Sequence, residues 1–144
     1  MASILKVDEM QGVTSAGDIT ITGEGGSATQ SLQTGLVKCF SRFNPSTNVT
    51  VSSFNQSSRS DDGAGLSTIN FTNNMQNDDY VGHQQNGDNV LPVANSTGAY
   101  ITSVHLEATG SVQVAYGYSG GNSGVTWTFN DYANQKFSMH GDLA

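Results

Sequence analysis

The sequence predicts an all-β chain, an antiparallel β-sandwich or jelly roll of eight or nine short strands with an extended N-terminal arm and at most one short helix. Three observations lead there. Apolar and polar residues alternate with period two in short runs, the mark of half-buried strands. Clusters of Asn, Gly, Asp and Pro punctuate these runs about every ten residues, a spacing typical of sandwiches. Finally, Ser, Thr, Asn, Gln and Gly make up 71 of the 144 residues while charged residues are only 12%, a composition that favours turns and caps over helix interiors. Phe, Tyr, Val and Ile recurring in alternating runs supply the apolar surface that a disordered chain lacks.

Residues 35–71 organise the reading. GLVKCFSRF, NVTVSSFNQSSRS and LSTINF read as three consecutive antiparallel strands, a meander joined by turns at Asn44–Thr47 and Asp61–Gly65. In the first, Val37, Cys39 and Phe43 share one face and Lys38, Phe40 and Arg42 the other. In the second, Val49, Val51 and Phe54 alternate with Thr50 and Ser52. In the third, Ser67, Ile69 and Phe71 lie opposite Leu66 and Thr68. Such mixed faces suit a sheet with one side packed and one side wet.

Before the meander, Ile4–Val7 is a short strand candidate cut off by Gly12–Gly17, and a terminal strand needs a partner for its amides. Residues 1–34 therefore read as an attachment arm and connector, with Ile4, Leu5 and Val7 as its contact residues, and 35–144 as the sandwich. Asp18–Thr22 makes a second strand, and Ser27–Thr34 a short helix capped by Ser27.

After the meander, Met75 plugs inward from a loop before a strand at Tyr80–Gln84. Gln85–Gly98 is a long loop, a length more often functional than accidental. Tyr100–Glu107 and Ser111–Tyr118 form the clearest hairpin, with Val112, Val114, Tyr116 and Tyr118 on one face. Val125–Asn130 places Val125, Trp127 and Phe129 on one face, which makes Trp127 a core residue. Lys136–His140 is the last strand.

Chemistry is sparse. The net charge of −7 and five cations scattered singly along the chain argue against nucleic acid and against anionic membrane surfaces. No stretch approaches a membrane span, and the start lacks a signal-peptide core, so the usual secretory route is not expected. Cys39, the single cysteine, reads as a buried apolar residue, with no disulfide or thiolate cluster open to it. His83, His105 and His140 fall on different strands without zinc spacing. Asp61-Asp62-Gly63 is simpler as turn chemistry than as a calcium loop. The glycines at 117, 120, 121 and 124 give no dinucleotide or phosphate fingerprint. No nucleophile elbow or triad appears. The expectation is a non-enzyme with no cofactor and no metal.

Aromatic residues near loops leave a binding surface open. Sugars stack on aromatic faces and bond to Asn and Asp, so Asn86, Asp88, Asn89, Tyr118, Asn122 and Tyr132 are candidate receptor contacts; for Tyr118 and Tyr132 a core position is equally open.

Several stretches together resemble small virion and tail-fibre proteins of marine tailed bacteriophages. ASILKVDEMQ, GDITIT and EGGSATQSLQTGLVK are similar to their beginnings. Gly35, Leu36, Lys38 and Phe40, the pairs Phe43-Asn44 and Phe54-Asn55, Asp62–Gly65, Ile69–Thr72, Tyr80 and Gly141–Ala144 are similar to a β-domain at fibre ends. Phe40 stands where that family often continues with a Trp-containing strand. The resemblance implies a virion structural protein, usually a homotrimer, acting by self-association and contact with other virion proteins of the capsid, portal or tail. A strand of eight residues spans roughly 27 Å, so a short knob or decoration anchored by the arm is expected; the alternative is a receptor-binding module for host surface glycan.

Overall fold

The computed structural model describes residues 5–11, 19–23, 25–26, 28–85, 99–119 and 127–144, and every structural statement here concerns these. Residues 5–11 form no strand, so the short strand expected up to Val7 is absent from its described part, Leu5–Val7. That segment pairs with nothing that would hold it extended as a strand. β1 (Thr20–Thr22) and β2 (Thr29–Ser31) make a small exposed hairpin. The helix expected over 27–34 shrinks to the single turn α1 (Leu32–Gly35), because β2 claims the residues before it.

β3 (Val37–Asn44) and β4 (Val49–Phe54) follow, joined by a 3₁₀ turn, Pro45–Thr47. Pro45 has its ring at the first position of the turn, where no donor is missed. Asn48 closes it with φ 55, a left-handed conformation that Asn tolerates. β5 (Gln56–Gly63) and β6 (Leu66–Phe71) come next, then β7 (Val81–Gln85). β8 (Ala99–Ala108) and β9 (Ser111–Ser119) are the predicted hairpin, and β10 (Trp127–Phe129) and β11 (Gln135–His140) end the chain.

The longer strands make two antiparallel sheets. In sheet I, β9 is the spine: β8 pairs along one edge, while β6 and β10 share the other, β6 with residues 111–115 and β10 with 117–119. β5 lies outside β6. Sheet II runs β4-β3-β11-β7. The predicted meander is thus corrected. The long second strand bends at Asn55, whose φ of 55 turns the chain from sheet II into sheet I, so β3–β4 and β5–β6 are hairpins of different layers. Eleven strands stand among the described residues in place of eight or nine; the unexpected ones are β5, split from β4 at this corner, and β2, which pairs with the expected strand β1.

The inner faces meet in a core of Cys39, Phe43, Phe137 and Met139 from sheet II and Ile69, Phe71, Val112, Val114 and Tyr116 from sheet I. Met75 and Tyr80 close one end from the β6–β7 connection. Ser41 and Ser67 are buried small residues at the same layer. Tyr116 ties the two sheets, its ring edge-on to Phe43 at 6.2 Å and its hydroxyl donating to the Lys136 carbonyl at 3.1 Å. Arg59 does the same near the β5 edge, over the Phe43 ring at 4.8 Å and donating to Ser67 and Asn48. The Tyr80 hydroxyl reaches the carbonyls of Ala108 and Ser111 at 3.1 and 3.0 Å and accepts the Ala108 N–H. It pins the hairpin's turn end.

Two assignments of faces change. One extra residue in β3, opposite the Met139/His140 step, makes a β-bulge at Lys38. Lys38 is consequently only 6% exposed and Val37 turns outward. Every residue of β4 is exposed, since β4 overhangs the core beyond the bend at Asn55. Phe129 is exposed as well, and the Trp127 side chain lies outside the described set.

Gly65 shows how tightly the layers close. Its φ is +68, and a Cβ there would lie 2.1 Å from the Tyr116 carbonyl oxygen and 2.6 Å from the Asn130 nitrogen. Gly65→Ala should destabilise the fold by at least about 2 kcal/mol in urea unfolding, whereas Gly25→Ala, which meets nothing within 4 Å, should leave the midpoint nearly unchanged. Equal effects would contradict the packing described. Burial also pushes the Cys39 thiol up to about 12. The unfolded thiol ionises near pH 9 and the folded one does not, so stability present below pH 9 should be lost as pH rises toward 12. Cys39→Ala should flatten that alkaline decline in a pH series of melting curves, and the native thiol should resist aromatic disulfide reagents at pH 8 until the protein unfolds.

Candidate interaction surface

The outer faces of the two sheets differ in chemistry. On sheet I, Asp62 accepts from Thr68 (2.5 Å) and Gln113 (2.9 Å), Asn70 donates to Ser58 (3.0 Å), and the Asp61 carboxylate caps the Gly63 N–H at 3.1 Å in a turn. Desolvation works to raise the Asp62 pKa, but hydrogen bonds from Thr68, Gln113 and Ser60, with Arg59 nearby, outweigh it and hold the carboxyl below its ordinary value. These acids serve the β5–β6 turn and the sheet surface, as turn chemistry predicts. This face is a hydroxyl and amide ladder suited to water.

Sheet II presents a different outer face. In one row across all four strands stand Phe54, Phe40, Ser138 and His83; in the next, Ser52, Arg42, Lys136 and Gln85; beyond the bulge, Val37, His140 and Val81. Phe40 and Phe54 stack with ring centroids 6.1 Å apart and planes at 22°, yet Phe54 is 52% exposed and Val81 61%. His83 and His140, on adjacent strands, meet edge to face at 5.7 Å. Arg42 donates to Asn134 at 3.1 Å, which fixes its guanidinium over the sheet. A shallow hollow of about 190 Å³ lies between β7 and β11, lined by His83, Gln84, Gln85, Lys136, Phe137 and Ser138. None of the four strands contains an Asp or Glu, although the chain has 12. Two of the five Lys and Arg residues, Arg42 and Lys136, are cross-strand neighbours on this face, although 94 residues separate them in sequence, while Lys38 is turned inward at the bulge.

The arm is the second exposed apolar element. Leu5 is 78% exposed, and Val7 and Met10 are also in water, beside Asp8 and Glu9. Ile4 lies outside the described residues.

Of the candidate receptor contacts, Tyr118 and Tyr132 are described. Tyr118, at the end of β9 opposite Thr128, is exposed. Tyr132 packs partly buried against the core. Asn86, Asp88, Asn89 and Asn122 lie outside the described residues. Among the described residues, no group of three or more His, Cys, Asp or Glu side chains is placed to hold a metal ion, and no helix is long and apolar enough to cross a membrane. Sequence reasoning missed the sheet II face because Phe40, Arg42, Lys136 and His83 come from strands up to 96 residues apart. The signal that marks it is four acid-free strands whose outward positions hold aromatic and basic residues.

In comparisons with known proteins, the chain matches no protein family, no curated protein and no solved structure.

Proposed function

We propose that this chain is a structural protein of a bacteriophage virion, a short knob or decoration that self-associates and is anchored to capsid, portal or tail through its N-terminal arm. One observation carries the reading: the arm keeps Leu5, Val7 and Met10 in water. Burying a side chain such as Leu is worth roughly 1.5–3 kcal/mol, so a segment that leaves three such residues exposed gains by being covered. The ordered motif likeness to fibre-end domains supplies the virion setting. The sandwich supports it by offering shape and contact surfaces of unequal stickiness.

The arm deletion tests this. In particles produced with a chain lacking residues 2–11, quantitative mass spectrometry of purified virions should show incorporation reduced at least tenfold, with the truncated chain soluble and folded by circular dichroism. Undiminished incorporation would remove the anchor, and absence of the intact chain from particles would remove the virion reading altogether.

A further inference from the structure

We infer that the outer face of sheet II is the landing site for the arm of a second copy of this chain. The inference rests on reading the arm as an attachment segment, and it names the neighbouring copy as what that segment grips.

Two apolar surfaces of one chain are exposed and chemically matched. The face offers Phe40, Phe54, Val37 and Val81 together with Arg42 and Lys136, on strands free of acids. The segment 5–11, LKVDEMQ, offers Leu5, Val7 and Met10 with two carboxylates, Asp8 and Glu9, against one cation, Lys6. Lone exposed apolar residues are ordinary on a protein surface. Here Phe40 and Phe54 stack in register on neighbouring strands, and Val37 and Val81 flank His140 further along the same face, a grouping that marks an interaction site. Charge complementarity selects the occupant, since in an acidic chain the acid-free sheet would receive a segment bearing carboxylates.

The dimensions agree. Seven extended residues span roughly 24 Å and four strands roughly 15 Å between outer axes, so the arm can cross the whole face or lie along β3. In an extended arm Leu5, Val7 and Glu9 point to one side, which sets the two apolar residues against the phenylalanine pair and the Glu9 carboxylate toward the Arg42 and Lys136 row, while Lys6, Asp8 and Met10 alternate to the other side, with Asp8 at the edge of the contact. Each copy gives one arm and receives one. This is a heterologous contact, and a closed ring leaves neither surface in water.

The test uses the full chain. Sedimentation velocity across a concentration series, with native mass spectrometry, should show a closed oligomer for the intact protein. Deletion of residues 2–11 and, separately, Phe40→Ser with Phe54→Ser should each weaken association at least tenfold while circular dichroism stays unchanged. Should the phenylalanine pair prove needed for folding, Lys136→Glu serves instead. It should weaken association alone, as should Asp8→Lys with Glu9→Lys, and combining the two reversals should restore it. Mixing a Val7→Cys copy with a differently tagged Ser52→Cys copy should yield the cross-linked pair under oxidation. A chain monomeric at every concentration would overturn the inference. So would an oligomer indifferent to both the deletion and the face substitutions, or a mixture of the two cysteine copies that yields no cross-linked pair carrying both tags. Lost virion incorporation with unchanged self-association would overturn it too, while leaving the anchor reading standing.

Discussion

Tyr116 is the point on which the two layers depend. Its backbone N–H donates to the Gly65 carbonyl at 2.7 Å and its carbonyl accepts from Asn130 at 3.1 Å, while its ring and hydroxyl engage β3 and β11 of the opposite sheet. Contacts at Phe43, Gly65, Asn130 and Lys136, drawn from three regions of the sequence, converge on one residue at 0% exposure. The hydroxyl is held neutral, because burial pushes its pKa up. Its hydrogen bond to a backbone carbonyl satisfies a polar group that would otherwise be costly inside a core. The left-handed glycine at 65 exists to let the Tyr116 backbone come this close.

From that joint follows the inequality of the two outer faces. The inner faces consume the aliphatic and most aromatic residues of β3, β6, β9 and β11, leaving each strand's alternate positions to choose their own environment. On sheet I these include Thr68, Asn70, Ser111 and Gln113 beside Leu66 and Ala115, with Thr68, Asn70 and Gln113 hydrogen-bonded to β5. On sheet II they are Phe40, Arg42, Lys136, Ser138 and His140, with Val37 turned outward at the bulge. The bulge at Lys38 and the bend at Asn55 sharpen the contrast by turning Val37 outward and leaving β4 overhanging.

Much of the architecture was legible in the sequence because period-two alternation survives translation into three dimensions. Ser67, Ile69 and Phe71 face inward as read, Met75 is the plug, and the β8–β9 hairpin has the expected partners. What the alternation could not carry were the places where it slips. A single extra residue at Lys38 exchanges its environment with that of Val37, and nothing in VKC announces a bulge. Asn55 reads as one more polar residue in a long strand, yet its positive φ moves the chain between layers. The candidate surface was illegible for a related reason. Its residues are ordinary strand positions, and only the register of β3, β4, β7 and β11 sets them side by side.

If the arm of a second copy lands on sheet II as inferred, one face of this sandwich meets protein and the other meets water. Hydroxyl-radical footprinting of the assembled full-length protein, read residue by residue against the same protein diluted to dissociation, tests it most directly. Phe40, Phe54, His83 and His140 should lose reactivity on assembly, while His105, exposed on β8 of sheet I, keeps its own. Equal reactivity of the sheet II residues in both states, or protection confined to His105, would contradict it.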